Sequence, residues 1–167
     1  VKFKISKKVI SENCKPYIIA EACINHEGNV KIAKKMIDKA VEAGVSAVKF
    51  QFHVLEDEML KYTPKSNNFS ESLYDTLKRT NLSIKEHKYL KKYCEKKNVD
   101  YLCTPFSFKS ADILEKEIRL KIFKVGSGEL TNIPLQTHIA KKKFPTIIST
   151  GMSTFKEVRH TFNIVKK

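Results

Sequence analysis

The stretch Ala47-Val48-Lys49-Phe50-Gln51 is the strongest indication of the fold in this sequence. It is one of five short apolar runs, bounded by turn or polar residues and rich in β-branched and aromatic side chains, which predict β-strands. Their nearly continuous apolarity indicates strands buried on both faces, as in a parallel sheet. The other four runs are residues 17–20, 101–104, 122–125 and 146–149.

Amphipathic patterns that predict helices lie between these runs. One helix is predicted to end at Gly44, and capping boxes at Ser83/Glu86 and Thr154/Glu157 predict the starts of two others. Strand and helix therefore alternate five times, which indicates an α/β fold with right-handed crossovers. Residues 53–82 show no clear period and are predicted to be a long polar loop of the kind that often contacts substrate. Five units are enough for an open sheet, whereas a β/α barrel needs eight.

Composition narrows the class of protein. With 167 residues, 41% hydrophobic and 30% charged, the chain is expected to fold as one globular domain. Its net charge of +14 comes almost entirely from scattered lysines, which indicates a solvated surface and not a nucleic-acid site. No apolar run approaches the ~18 residues of a membrane helix, and no secretory signal is expected. Four cysteines without a C-x-x-C pair are typical of reduced thiols, so we expect a cytoplasmic location.

Polar side chains at the ends of the predicted strands are the candidate functional residues. Lys49 and Lys124 come from different strands, and an unpartnered buried lysine is costly. Two lysines in one layer beside hydroxyl groups predict a bound anion, such as a phosphate or carboxylate, at the carboxyl ends of the strands. The full set is Glu21, Lys49, Gln51, Thr104, Lys124, Ser127 and Glu129.

A structural alternative stays open for each of these residues. In it, Lys49 forms an ordinary ion pair with Glu21, and Lys124 faces outward. His26 also has two readings: a functional one, as a base or ligand, and a structural one. The remaining histidines show no metal-ligand spacing. The alternatives for the others are a turn position for Ser127, a helix N-terminal charge near Asn132 for Glu129, a satisfied loop hydroxyl for Thr104 and a polar filler for Gln51.

Five short motifs, in order along the chain, resemble the sialic acid synthases, the family of N-acetylneuraminate synthase and its legionaminic- and pseudaminic-acid relatives. The resemblance implies a (β/α)8 barrel followed by a small antifreeze-like domain, in a homodimer. It implies condensation of phosphoenolpyruvate with an N-acetylated hexosamine, such as N-acetylmannosamine or a related 6-deoxy sugar. The product would be a nine-carbon 2-keto acid, formed with release of phosphate. The cofactor would be manganese or magnesium. The motifs are residues 18–28, 47–51, 101–106, 123–129 and 149–153.

The same resemblance implies a role for each candidate residue. Glu21 is expected to be the acid/base carboxylate. The expected phosphoenolpyruvate-binding residues are Lys49, Thr104, Lys124 and Ser127. The expected contacts to the acceptor sugar are Gln51, Glu129 and Asn68, the last in a polar loop.

Two departures from the family pattern matter. Ala22-Cys23 stands where the family commonly has Ile-Gly, so Cys23 is expected to have a negative φ. The family's metal-binding histidines follow strands seven and eight, so we expect them outside this chain.

Residues 1–16 are expected to be a lead-in, and residues 17–167 to be about the first five barrel units. Such a chain is expected to bind manganese weakly and to have negligible activity alone, so an inactive fragment or a non-catalytic phosphate- or sugar-binding remnant is the alternative function.

Overall fold

The computed structural model describes residues 3–6, 8–62, 65 and 70–166. It opens with an antiparallel hairpin of β1 (Phe3–Ile5) and β2 (Lys8–Ile10), which the sequence did not predict. The side chain of Ile5 is buried, and Lys8 Nζ donates to the Ser46 carbonyl oxygen at 3.0 Å. The hairpin in the predicted lead-in is therefore attached to the rest of the fold.

All five predicted strands are present, and they pair in parallel. β3 (Ile19–Cys23), β4 (Ala47–Phe52) and β5 (Asp100–Pro105) form one sheet in the order β3-β4-β5. β6 (Phe123–Val125) and β7 (Thr146–Ile148) form a second, two-stranded parallel sheet. The α/β fold is confirmed, and the described strands form part of a barrel-like domain.

Two strand ends differ from the prediction. Glu21 lies inside β3 and not after it, because the pairing with β4 continues through a Glu21–Lys49 register pair. Thr104 likewise lies inside β5, in register with Gln51 of β4. Both polar side chains therefore stand on paired strands, which fixes their positions better than loops would.

The helices form the outer layer. Both predicted capping boxes are present, and Gly44 has the left-handed φ of +74° expected of a residue just beyond a helix end. The helices that alternate with the five strands are α1 (Val30–Glu42), α4 (Ile84–Lys96), α5 (Phe108–Lys116), α6 (Ile133–Lys141) and α7 (Phe155–Val165).

The prediction of a long loop over residues 53–82 is wrong for two parts of it. The structure has a short helix α2 (Leu55–Glu58) and a helix α3 (Leu73–Thr80) there. Ser72 caps α3 by accepting from the Asp75 amide at 3.1 Å, and Leu77 is buried beneath it. A helix of eight residues buries too few apolar side chains to show a clear period in sequence.

The core lies between the sheets and the helix layer. Phe50 and Phe123 of the strands and Ile37, Leu90 and Leu114 of the helices are fully buried there. Because side chains alternate along a strand, burying Phe50 against the helices turns Lys49 and Gln51 to the opposite face. Among the described residues, no helix combines the length and the apolar character needed to cross a membrane.

Candidate active site

Lys49 is the centre of the candidate site. Its ammonium lies 2.7 Å from Glu21 Oε2 and donates to Thr104 Oγ1 at 3.3 Å. The three residues stand on adjacent strands β3, β4 and β5, and the register pair Glu21–Lys49 brings the carboxylate beside the ammonium. Lys49 is thus partnered as the structural alternative supposed, but by groups that stand at the predicted anion site.

Lys124 on β6 lies near enough to Lys49 and Glu21 to interact electrostatically with both. It is buried, which excludes the outward-facing alternative, and its Nζ donates to the Val125 carbonyl oxygen at 2.9 Å. Burial, followed by the positive charge of Lys49, lowers the pKa of Lys124 from its usual value, while Glu21 partly opposes this effect. The structure therefore brings together the two ammonium groups that the sequence predicted would share a layer.

Cys23 ends β3 in a conformation opposite to the one expected. Its φ is +49°, and the register between β3 and β4 shifts between Glu21 and Cys23. A bulge of this kind favours a left-handed residue, which glycine adopts freely. The Cys23 thiol lies 3.6 Å from Glu21 Oε2, and burial is the main cause of its raised pKa.

Ser127 and Glu129 belong to one turn of 3-10 helix (Ser127–Glu129) directly after β6. Ser127 is half-buried, and a Cβ placed on Gly151 would lie 3.5 Å from the Ser127 Cβ, so the segment after β7 passes against it. Glu129 Oε2 accepts from Asn132 Nδ2 at 2.7 Å. Asn132 is the N-cap of α6, so Glu129 occupies the position that its structural alternative described.

Gln51 belongs to a hydrogen-bonded chain that the sequence did not predict. Its Oε1 lies 3.2 Å from His53 Nε2, and His53 Nδ1 lies 2.7 Å from Glu58 Oε2. His53 was set aside because the histidines lack metal-ligand spacing. The signal that was missed is alternation, since residues 49, 51 and 53 fall on one side of the strand and its extension.

The polar loop is only partly described. Asn68, the third expected sugar contact, lies outside the described residues. Where the chain is described again, Arg79 of α3 contacts Glu71 at 2.7 Å and Glu27 at 2.5 Å. These ion pairs connect the end of the loop segment to the turn after β3.

The described histidines provide no metal centre. His26 is buried, its Nδ1 accepts from the Gly28 amide at 3.2 Å, and burial lowers its pKa, all of which favour a structural role. In the described ranges, no group of three or more His, Cys, Asp or Glu side chains is arranged to hold a metal ion. These residues therefore do not fit a divalent cation by themselves.

The geometry defines the chemistry that the site can perform. Two ammonium groups and a hydroxyl on the strands are all buried, and these groups are suited to charge-assisted hydrogen bonds with an anion. Glu21, whose side chain is 52% exposed, is the carboxylate beside Lys49. This arrangement can bind an anionic substrate and move a proton beside it.

Comparison with known proteins assigns the family. The model of the NeuB family matches residues 36–167 of this chain. The chain belongs to the NeuB family. The NeuB-family assignment confirms the resemblance seen in the motifs, and the site residues Lys49, Thr104, Lys124 and Ser127 all lie within the matched range.

Several curated relatives of this NeuB-family chain are named as synthases. It is 38% identical over 159 residues to N,N'-diacetyllegionaminic acid synthase of Campylobacter jejuni, covering 92% of this chain and 47% of the relative. It is 30% identical over 156 residues to human N-acetylneuraminate-9-phosphate synthase, covering 90% of this chain and 43% of the relative. The chain thus spans about half the length of the curated relatives that it matches.

Solved structures agree with the fold. An N-acetylneuraminic acid synthetase from Leptospira borgpetersenii, in complex with citrate, matches with a TM-score of 0.84 and 30% identity, over 99% of this chain and 55% of that one. A truncated 3-deoxy-D-arabino-heptulosonate 7-phosphate synthase from Thermotoga maritima matches with a TM-score of 0.69 at 11% identity, which supports the fold alone.

Proposed function

We propose that this chain supplies the phosphoenolpyruvate-binding part of a sialic-acid-type synthase. The observation that carries the proposal is the burial of Lys49 in β4 and Lys124 in β6, close enough for each ammonium to affect the other. In this proposal residues 17–167 are the first five units of an eight-unit barrel, following a lead-in of residues 1–16. The complete protein is a cytoplasmic homodimer without nucleic-acid or membrane partners.

Phosphoenolpyruvate suits this site because it carries a phosphate and a carboxylate on three carbons. Within the described residues, the acceptor of Lys124 is a backbone carbonyl oxygen, and Lys49 shares its charge with a half-exposed carboxylate. An incoming dianion would relieve the repulsion between the two ammonium groups. Thr104 and Ser127 supply hydroxyl donors at the same end of the strands.

The proposed reaction joins phosphoenolpyruvate to the open aldehyde form of an N-acetylated hexosamine. The enol carbon attacks the aldehyde carbon, and the aldehyde oxygen takes a proton to become a hydroxyl. Water then adds at the oxocarbenium-like carbon, and the tetrahedral intermediate expels phosphate to leave the 2-keto acid. Glu21 lies where it can carry the protons of these last steps. Gln51, Glu129 and Asn68 are the proposed sugar contacts.

The family's divalent metal, manganese or magnesium, would polarise the aldehyde oxygen as a Lewis acid. The described residues hold no group of side chains suited to it, so no step is assigned to the metal here. What this chain's own residues contribute is the anion site and the proton-carrying carboxylate.

A phosphate-release assay tests the proposal. The full-length protein and the isolated chain are each incubated with phosphoenolpyruvate, manganese and one sugar, either N-acetylmannosamine or a diacetylated 6-deoxy hexosamine. In the full-length protein we expect phosphate release that requires the sugar and is lost in Lys124→Ala but kept in Lys39→Ala, whose side chain is 77% exposed. Binding of phosphoenolpyruvate by the full-length protein without any product would instead support the non-catalytic remnant.

A further inference from the structure

His53 is anchored more firmly than a residue at a strand end normally is. It directly follows β4, its side chain is 4% exposed, and its ring stacks on Phe106 with centroids 4.4 Å apart. Asn81 Nδ2 donates to the His53 carbonyl oxygen at 3.0 Å. Both the ring and the backbone of His53 are therefore held in place from outside its own strand.

Glu58 fixes the other side of the ring. Its side chain is also 4% exposed, its Oε2 lies 2.7 Å from His53 Nδ1, and its Oε1 accepts from the Val54 amide at 2.6 Å. A carboxyl group buried to this degree needs hydrogen-bond partners, and the imidazole and the Val54 amide supply them. The short helix α2 therefore serves to place one carboxylate against one imidazole.

The second ring nitrogen faces Gln51. His53 Nε2 lies 3.2 Å from Gln51 Oε1, so both nitrogens of the imidazole are directed at oxygen atoms. A hydrogen bond from the ring to the Gln51 amide oxygen needs a hydrogen on Nε2.

Holding the Gln51 carbonyl oxygen determines where its amide nitrogen points. In the described part of the chain no hydrogen bond to Gln51 Nε2 occurs. Gln51 stands in register with Thr104 and on the same side of β4 as Lys49, so its free donor belongs to the candidate active site. A donor there suits a carbonyl oxygen of a substrate and does not suit a cation.

We propose that His53, clamped by Glu58 and Phe106, is a positioning residue that presents the Gln51 amide donor to a carbonyl oxygen of the acceptor sugar. The identity of the sugar rests on the proposed function, but the orientation of Gln51 does not. Without His53 the amide can rotate by half a turn and present an acceptor instead. The consequence is loss of affinity for the sugar while the phosphoenolpyruvate site is unchanged.

Two variants of His53 separate positioning from packing. An asparagine amide nitrogen replaces Nδ1 and keeps the donor to Glu58, whereas a glutamine nitrogen replaces Nε2 and keeps the donor to Gln51. In the phosphate-release assay, His53→Asn should raise the KM for the sugar about tenfold, as expected for one lost hydrogen bond. His53→Gln should stay within about threefold, and neither variant should change the KM for phosphoenolpyruvate. Equal sugar KM values for the two variants would overturn the proposal.

A spectroscopic measurement on the unaltered chain removes the dependence on folding of the variants and on turnover. Nitrogen-15 NMR of the histidine rings should show a bonded hydrogen on His53 Nε2, the nitrogen that faces Gln51 Oε1. A bare Nε2 would contradict the proposed orientation of Gln51, whatever the activity. If the full-length protein releases no phosphate while Nε2 carries a hydrogen, the proposed function fails and the orientation of Gln51 stands.

Discussion

Lys49 and Glu21 form an ion pair of 2.7 Å in which the lysine side chain is 5% exposed and the carboxylate is 52% exposed. A pair made only for stability would be expected to bury or expose both partners together. Here the ammonium is buried, whereas the carboxylate stays accessible to solvent. The pair therefore leaves Lys49 available to an anion and Glu21 available as a proton carrier.

The first prediction separates binding from chemistry at Glu21. Glu21→Gln keeps the shape and one hydrogen-bond acceptor for Lys49 but removes the proton carrier. We expect the affinity for phosphoenolpyruvate to stay within about threefold while turnover of the full-length protein falls by about 10² or more. Steady-state kinetics together with calorimetry measure the two effects. Normal turnover would reduce Glu21 to a structural partner of Lys49.

The second prediction concerns Lys124 and stability. Burying this charge without an anion costs free energy, and burial lowers its pKa accordingly. Lys124→Met should therefore raise the free energy of unfolding by about 1 kcal/mol or more in the absence of substrate. Lys39→Met, on the exposed face of α1, is the matched control and should change it by less than about 0.5 kcal/mol. Urea titrations measure both, and destabilisation by Lys124→Met would show that the ammonium is satisfied without an anion.

The third prediction is a dependence of stability on pH set by His87. This side chain is fully buried, and desolvation, followed by the nearby His26 and His53, lowers its pKa to about 3. The folded state holds His87 neutral, whereas the unfolded state takes up a proton near its ordinary pKa of about 6.5. The stability that comes from keeping His87 neutral is therefore complete above about pH 6.5 and is lost progressively as the pH falls toward 3. At pH 5 the loss in the free energy of unfolding is about 2 kcal/mol.

Chemical unfolding between pH 7.5 and 5 measures this loss. His87 Nδ1 contacts the Tyr101 hydroxyl, and asparagine can replace that nitrogen. His87→Asn should be less stable at pH 7.5 but should lose about 2 kcal/mol less than the wild type on acidification. An identical loss in both proteins would assign the acid sensitivity to other groups.

The fourth prediction compares two glycines with the same backbone conformation. Gly28 and Gly44 have φ values of +73° and +74°. A Cβ on Gly28 would lie 2.6 Å from the Arg79 carbonyl oxygen, whereas nothing lies within 4 Å of one on Gly44. Gly44→Ala should cost about 1 kcal/mol for the left-handed conformation alone.

Gly28→Ala should cost about 1–3 kcal/mol more than Gly44→Ala, because the added methyl group must displace α3. Thermal or urea unfolding of the two variants gives the difference directly. Equal costs would mean that α3 moves away from the turn after β3 without penalty.

The features that the sequence predicted well are those with a local or periodic signal. Five apolar runs and the capping residues Ser83 and Thr154 gave the alternating elements, because each is specified by neighbours within a few residues. Lys49 and Lys124 were predicted because a lysine in an otherwise apolar strand is unusual. Their proximity then followed from the way parallel strands align along a sheet.

The features that were missed depend on contacts between distant residues. The positive φ of Cys23 accompanies a register shift between β3 and β4. The N-terminal hairpin is joined to the rest of the fold by a hydrogen bond from Lys8 to the Ser46 carbonyl oxygen. The contacts that hold His53 come from α2 and Phe106, and no regular spacing in the sequence links either of them to His53. Helix α3 has too few buried positions to produce a period.

The central claim is that Lys49 and Lys124 form an anion site for phosphoenolpyruvate, and calorimetric titration tests it most directly. Wild type and Lys39→Ala should bind phosphoenolpyruvate with the same affinity. Lys49→Ala and Lys124→Ala, after circular dichroism has shown that they fold, should each weaken binding by about 2–4 kcal/mol, which is about 30- to 1000-fold. Unchanged affinity in both variants would contradict the account.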